Sequence, residues 1–340
     1  MFYIRADANS EIGSGHVMRC LSLARAYRQR GIETTFITAD RESEKLIAGY
    51  NFQMICLDSV WNDLKAEIHK LVNIIEERKI DQIMVDSYFV TEEYLRQLGC
   101  YTKIIYLDDL SEFIYPVNIL INYNIYAEKI IEKELYRNYG TKLLLGCKYT
   151  PLREEFRDKK RIPREYVSDI MITTGGADTY NMSGNLLEFL NNKDYENITF
   201  HVVVGSFHQH REYLEALEKK FHNVILYNNV TEMSKLMLMC DIAISAGGST
   251  LYELCSCSLP TISFSYADNQ QMAVREFHRQ DIIFYAGDAR DDLRKCLNNI
   301  ENRLKLMRSS FALRKELAER MGALVDGLGV QRIMDEIQNQ

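Results

Sequence analysis

Short apolar and β-branched runs alternate along this chain with longer stretches whose apolar residues recur every three or four positions. In the first half the runs are "FYIRA", "TTFIT", "MICL", "QIMVD" and "KIIYLDD", separated by helical patterns over 15–30, 41–49, 61–78 and 91–99. The pattern over 61–78 puts Leu64, Ile68, Leu71 and Ile75 on one face and leaves His69 off it, toward solvent. Strands alternating with helices form βαβ units, which predict a parallel sheet covered by helices. The pattern restarts at "SDIMITTGG" and continues through "ITFHVVVG", helix 210–220, "NVILY", helix 231–239, "DIAIS", helix 249–257 and "LPTISF". The halves resemble each other in architecture and not as a sequence repeat.

Between them lies "REEFRDKKRIPREY", charged, without a clear period and interrupted by Pro163, which reads as a linker. The expected organisation is an N-terminal domain over 1–150, a linker over 151–167, a C-terminal domain over 168–306 and a helical tail over 307–340. In that tail Val330, Ile333, Met334 and Ile337 stand at helical spacing, so its end should pack on a domain. The fold class is α/β, with two Rossmann-like, doubly wound domains.

Composition narrows the function without naming it. A length of 340 residues suits two domains of about 150 each. No apolar stretch approaches the roughly 20 residues that cross a bilayer, and "MFYIRADANS" lacks the basic start and apolar run of a signal peptide. A cytoplasmic protein without a membrane partner is expected. Eight cysteines are scattered without CxxC pairs, which favours reduced, buried thiols over disulfides or a zinc cluster, so no metal site is expected. With a net charge of −7 and no basic tract, the chain has no general attraction for nucleic acid. An anionic ligand would need a local trap.

Such traps occur beyond the carboxyl ends of parallel strands, where loops and helix N-termini converge. Those ends read "RADANSEIGSGH", "VDSYF" and "LDDL" in the first half, then "TTGGAD", "VVGSFHQH", "SAGGSTLYE" and "SFSYADNQQ". Gly13 and Gly15, Gly175 and Gly176, and Gly247 and Gly248 fall in three of them. Glycine lets backbone amides approach a phosphate, and a helix beginning there adds partial positive charge. The same residues also serve simple tight turns. "GSGHVM" has Met18 where the dinucleotide fingerprint needs its third glycine, and no Walker lysine follows any of these turns, so neither NAD nor ATP chemistry is supported and no cofactor is expected.

His16 stands in the first of these turns. A helix N-terminus disfavours an imidazolium, so a histidine there is suited to accept a proton as a general base; a plain capping role is the alternative. Glu253 likewise has two readings. "TLYE" fits a capping box of Thr250 and Glu253, yet a carboxylate there could also bind ribose hydroxyls. Asn269, Gln270 and Gln271 could bond sugar hydroxyls, or could form a helix cap followed by two solvated glutamines. Tyr88 is a candidate or simple packing, and His208 and His210 read as surface residues.

Taken together, "RADANSEIGSGHVMRCLSLA", "VDSYF", "LDDL", "KYTPLREEF", "TTGGAD" and "ISAGGSTLYELCSCSLPTISF" followed by "YADNQQ" resemble the UDP-sugar hydrolases of pseudaminic-acid biosynthesis and their spore-coat polysaccharide relatives. The glycine turn of the second half is shared with the wider group of GT-B glycosyltransferases. That resemblance implies a GT-B fold with an interdomain cleft and hydrolysis of UDP-2,4-diacetamido-2,4,6-trideoxy-β-L-altropyranose without a metal. It makes His16 the base that activates water, with Tyr88 and Asn269 as further catalytic positions. It implies ribose binding by Glu253, phosphate contacts at Gly247, Gly248, Ser249 and Thr250, a diphosphate-facing turn at Gly175 and Gly176, and donor-sugar contacts by Gln270 and Gln271. Transfer of the sugar to an acceptor, or binding of a UDP-sugar without catalysis, would use the same motifs. Oligomeric state is not legible.

Overall fold

The structure, a computed structural model, describes residues 1–9, 11–205 and 208–338. They divide into two compact units, Met1–Arg153 with the chain's last segment from Leu328 onward, and Glu154–Gly327.

In the first unit the strands are β1 (Phe2–Ala6), β2 (Thr34–Thr38), β3 (Gln53–Cys56), β4 (Gln82–Asp86), β5 (Lys103–Leu107), β6 (Ile119–Asn122) and β7 (Lys142–Leu145). Helices α1 (Gly15–Gln29), α2 (Glu44–Gly49), α3 (Leu64–Arg78) and α4 (Glu92–Leu98) connect the first five, and the short α5 (Ala127–Ile130) and α6 (Lys133–Arg137) precede β7. All seven strands are parallel, in the order β3-β2-β1-β4-β5-β6-β7. The order reverses between β1 and β4, and at such a switch point the adjacent connections leave toward opposite faces and open a crevice at the carboxyl ends.

Local chemistry sets these elements. Asp63 caps α3 by accepting the amide of Ala66, and Lys79 ends it in the left-handed region at φ 51°. The stripe of Leu64, Ile68, Leu71 and Ile75 is buried as its spacing requires, in a core with Ile83, Val85, Leu95 and Ile104, while His69 is exposed. Glu67 shares the buried face. Its carboxylate holds the guanidinium of Arg5 on β1 through two bonds of 2.7 and 2.6 Å, and Asp7 takes a third at 2.5 Å.

The second unit has strands β8 (Asp169–Thr173), β9 (Thr199–Val204), β10 (Val224–Asn228), β11 (Ile242–Ala246), β12 (Thr261–Ser265) and β13 (Phe284–Asp288). Its helices are α7 (Met182–Leu190), α8 (Arg211–Lys220), α9 (Met233–Met239), α10 (Thr250–Ser256), α11 (Asp268–Arg279), α12 (Leu293–Ser309) and α13 (Phe311–Leu324). The parallel order is β10-β9-β8-β11-β12-β13, with its switch between β8 and β11. Ile170, Ile172, Val202, Ile244 and Ile262 line the core from the sheet, against Leu186, Leu190 and Ile300 from the helices. The charged segment before β8 is anchored in this unit: Arg161 and Arg164 both bond the fully buried Asp241.

The last helix, α14 (Gly329–Gln338), belongs to the first unit, burying Val330, Ile333, Met334 and Ile337. Among the described residues no helix is long and apolar enough to cross a membrane.

Candidate active site

Each unit carries one group of candidate residues at the switch point of its sheet. In the first, the loop from β1 to α1 is shaped by Asn9, whose side-chain oxygen accepts the amides of Glu11 and Ile12, both at 2.9 Å. Gly13 closes that turn at φ 72°, a conformation in which a side chain is strained. A Cβ on Gly13 or Gly15 would meet nothing within 4 Å. The turn thus delivers His16 to the first turn of α1, where the residue is 5% exposed.

His16 is bound on one edge. Its Nδ1 lies 2.6 Å from Oδ1 of Asp86, the last residue of β4. Arg19, one helical turn further along α1, bonds both oxygens of the same carboxylate, through Nε at 2.7 Å and Nη2 at 2.6 Å. Its Nη1 reaches Asp109 Oδ2 at 2.6 Å and the hydroxyl of Tyr123 at 2.9 Å. Burial alone would raise the Asp86 carboxyl, but the charge of Arg19, followed by His16 and the hydrogen bonds of both, holds it well below the usual carboxylate range. Tyr88 sets its ring edge-on to the imidazole, with centroids 4.3 Å apart, and its hydroxyl donates to Asp109 at 3.4 Å. Among the described residues no group hydrogen-bonds the Nε2 of His16.

The structure therefore joins His16 and Tyr88, and adds Asp86, Arg19, Asp109 and Tyr123. Sequence reading passed over these four. Asp86 and Asp109 stand in the strand ends "VDSYF" and "LDDL", and Arg19 follows His16 at the i+3 spacing that shares a helix face. Pairing of the strand-end carboxylates with α1 depends on the sheet order.

In the second unit, Gly175 and Gly176 follow β8, and Gly247 and Gly248 follow β11. The glycines differ in what fixes them. A Cβ on Gly247 would lie 2.2 Å from Cγ1 of Val274 on α11, so this glycine permits close packing, while one on Gly248 or Gly176 would meet nothing within 4 Å. Gly175 has φ 83° and lies against the Tyr266 hydroxyl, which donates to the carbonyl of Thr174 at 2.6 Å. A side chain at Gly205 would strike the carbonyl of Gly176 at 2.4 Å, so the loops after β8 and β9 touch backbone to backbone.

Those loops are braced by His208, which is buried and not a surface residue as its sequence context suggests. Its Nδ1 accepts the amide of His210 at 3.1 Å, so Nε2–H donates to Asp178 at 3.2 Å, and Asp178 also caps α7 through the amides of Met182 and Ser183. Burial lowers the affinity of His208 for a second proton, against the pull of Asp178. Ser206 and Phe207 of the same "VVGSFHQH" loop lie outside the described residues.

Ser249, and not Thr250, is the N-cap of α10, and it makes no side-chain cap bond, so the capping-box register of Thr250 with Glu253 is not the one adopted. Glu253 is half-buried. On α11 the alternative of a helix cap followed by two solvated glutamines is not the one adopted: the N-cap is Ala267, without a side-chain cap bond, and both glutamines bond locally. Gln270 accepts the amide of Tyr266 at 2.9 Å, and Gln271 donates to Ser265 at 2.8 Å and to Asp288. Asn269 is exposed in the first turn of the same helix.

Two doubly wound parallel sheets, each with its candidate residues at the switch point, define a protein of the two-domain GT-B fold class. Acinetobacter baumannii MurG shares the fold over 100% of both chains, with a TM-score of 0.71 and 14% identity. The UDP-GlcNAc 2-epimerase of Neisseria meningitidis, solved with UDP-GlcNAc, shares it over 100% of both at 0.66 and 12%.

Within that class the chain is similar to the UDP-2,4-diacetamido-2,4,6-trideoxy-beta-L-altropyranose hydrolase of Campylobacter jejuni, with 27% identity over 78% of this chain and 92% of that protein. It is 25% identical to the spore coat polysaccharide biosynthesis protein SpsG of Bacillus subtilis over 99% of this chain and 97% of that protein. An uncharacterised protein of Methanocaldococcus jannaschii is 28% identical over 76% of this chain, and there the match spans about half of the relative, 54%. No family model matches the chain. The resemblance read from the motifs, to UDP-sugar hydrolases of the pseudaminic-acid pathway and to spore-coat proteins, is thus present along most of the sequence.

Proposed function

We propose that this protein is a UDP-sugar hydrolase that releases UDP from a 2,4-diacetamido-2,4,6-trideoxy hexose. In this reading Nε2 of His16 takes a proton from water as the water oxygen bonds to the anomeric carbon. The bond from that carbon to the diphosphate oxygen breaks, and UDP leaves with the electron pair. The second unit binds UDP: the turns at Gly175 and Gly176 and at Gly247, Gly248, Ser249 and Thr250 carry the diphosphate, and Glu253 binds the ribose hydroxyls. Tyr88 and Asn269 contact the sugar. Preorganised donors aimed at the leaving oxygen stabilise the charge that develops there, and the reaction takes place in the cytoplasm without a metal ion.

One observation carries this reading. His16 is held through Nδ1 at the switch point of its sheet while its other ring nitrogen makes no hydrogen bond among the described residues, the arrangement a general base needs. The name of the Campylobacter relative supports the substrate class.

The test is incubation of the purified full chain with a panel of UDP-activated diacetamido sugars, following UDP and free sugar by NMR. Formation of UDP and a reducing sugar without an acceptor is expected. UDP release only when an acceptor is added would replace hydrolysis by transfer. Binding without turnover across the panel would leave a sugar-nucleotide binding protein.

A further inference from the structure

The first unit holds more machinery around His16 than a base alone requires. Asp86 is fully buried, and four groups surround its two oxygens: His16 Nδ1 and Arg19 Nη2 on Oδ1, Arg19 Nε and the Cys20 thiol on Oδ2. We propose that Asp86 is a positioning residue that fixes His16 as the Nδ1–H tautomer and thereby makes Nε2 the proton acceptor, and that Arg19 is the clamp that keeps Asp86 ionised and in place. The inference rests on the hydrolase reading for its kinetic consequence, but its physical core does not.

The argument is one of donors and acceptors. An ionised carboxylate only accepts hydrogen bonds, and a guanidinium only donates. With Asp86 ionised, a bare Nδ1 at 2.6 Å from Oδ1 would set lone pair against lone pair, whereas an Nδ1–H makes a short, charge-assisted bond. Arg19 Nη2, which carries two hydrogens, also lies 3.1 Å from Nδ1, but that longer contact would leave the lone pairs of Nδ1 and Oδ1 facing each other at 2.6 Å and so does not remove the repulsion. In the neutral imidazole Nδ1 therefore carries the proton, and Nε2 holds the free lone pair. A neutral imidazole of the opposite tautomer would present Nε2–H to the water and could not take its proton.

Arg19 does more than neutralise Asp86. Its plane spans Asp86 at the end of β4, Asp109 after β5 and Tyr123 after β6, so α1 is tied to three neighbouring parts of the sheet edge by one side chain that is 12% exposed. Asp109 in turn accepts the Tyr88 hydroxyl and the side-chain amide of Asn124 at 3.2 Å. The tyrosine stacked edge-on against His16 is thereby anchored to the same guanidinium, through Asp109. Position along the strand, ring orientation and tautomer are all set by one connected group. Orientation of an imidazole by a carboxylate on its second nitrogen is worth orders of magnitude in other histidine bases.

The experiment labels the histidines of the full chain with ¹⁵N and reads the two ring nitrogens of His16 above the imidazole titration range, at about pH 8. Signals are assigned by their loss in His16→Gln. The expected wild-type pattern is a protonated Nδ1 and an unprotonated Nε2; a protonated Nε2 overturns the proposal outright, whatever any variant does. Asp86→Asn should lose that pattern, and kcat should fall by about 10²–10⁴-fold while KM moves less than about threefold, the signature of a group acting on the chemical step. Asp86→Asn that keeps both the Nδ1–H tautomer and the wild-type kcat, or that raises KM alone, overturns it as well. Should the variant not fold, the wild-type spectrum decides. Should no UDP-sugar be turned over by the wild type, the hydrolase reading fails, while the spectra still test the pairing of His16 with Asp86.

Discussion

Nδ1 of His16, at the start of α1, meets Oδ1 of Asp86, at the end of β4, across the switch point of the first sheet at 2.6 Å. Seventy residues of chain separate the two. The pairing exists because β1 and β4 are neighbours in the sheet, so that the loop leaving one and the last residue of the other share an edge. It places an imidazole where ligands of parallel sheets bind.

From this follows the first prediction. His16→Asn keeps a polar group on the helix but removes the proton acceptor, and general-base action is worth about 10²–10⁴-fold. Turnover of the UDP-sugar should fall by that order, while the affinity for UDP, which is assigned to the other unit, stays within about twofold, less than 0.5 kcal/mol. Steady-state kinetics and calorimetry with UDP measure the two separately. Undiminished turnover would remove His16 from the chemistry.

The second concerns acid. The folded state holds the Asp86 carboxyl well below its unfolded value, so between the two values the unfolded chain binds more protons. This contribution to stability is complete above the unfolded value of about 3.9 and is lost as pH falls through the folded one. The stability gap between wild type and Asp86→Asn, from urea unfolding midpoints, should hold steady above about pH 5 and narrow below about pH 4. A gap constant down to the acid limit of folding would mean that the charge on Asp86 does not stabilise the fold.

Two adjacent glycines should respond in opposite ways. Gly247→Ala drives a methyl group to 2.2 Å from Val274, and overpacking of this kind costs about 1–3 kcal/mol. Gly248→Ala meets open space and should leave the melting temperature within the range of surface substitutions, about 0.5 kcal/mol either way. If amides of this turn hold the diphosphate, it is Gly248→Ala that weakens UDP binding in calorimetry. Equal UDP affinity for Gly248→Ala and wild type would reassign the turn to packing alone.

These cases also mark what the sequence makes legible. The strands "FYIRA", "TTFIT", "QIMVD", "DIAIS" and "LPTISF" appear where their apolar runs predict them, because a strand buried on both faces needs a continuous apolar run. Strands β6, β7 and β13, which lie at a sheet edge or next to one, escaped. "ILIN" and "KLLL" are short, and "FYAGD" mixes small and polar residues, as strands toward a sheet edge tolerate. Glycine turns and His16 are visible as local patterns. Asp86, Arg19 and Asp109 act only in combination, and that combination is created by strand order, which no local spacing encodes. The buried role of His208 was hidden for the same reason: its partner Asp178 comes from the loop after another strand.

Glu67 shows the same limit and supplies the last prediction. By spacing it belongs to the buried face of α3, three residues after Leu64, yet as a glutamate it reads as surface. In the fold it is fully buried, with Arg5 on both oxygens and the hydroxyls of Tyr94 and Ser59 at 3.2 and 3.1 Å. Asp7 binds the same guanidinium, and its other oxygen accepts the amide of Ala39 at 2.7 Å, so β1, β2 and α3 are cross-linked by one ionic cluster. Removing one partner strands a buried charge, which typically costs about 3–5 kcal/mol. Glu67→Ala should therefore lower the stability of the first unit by that order in denaturant unfolding, and Glu67→Gln by less, because the amide oxygen still accepts from Arg5. The alternative is that Asp7 alone suffices for Arg5. In that case Glu67→Ala would cost no more than the loss of one neutral hydrogen bond, about 1 kcal/mol, and the cluster would be a bystander to folding.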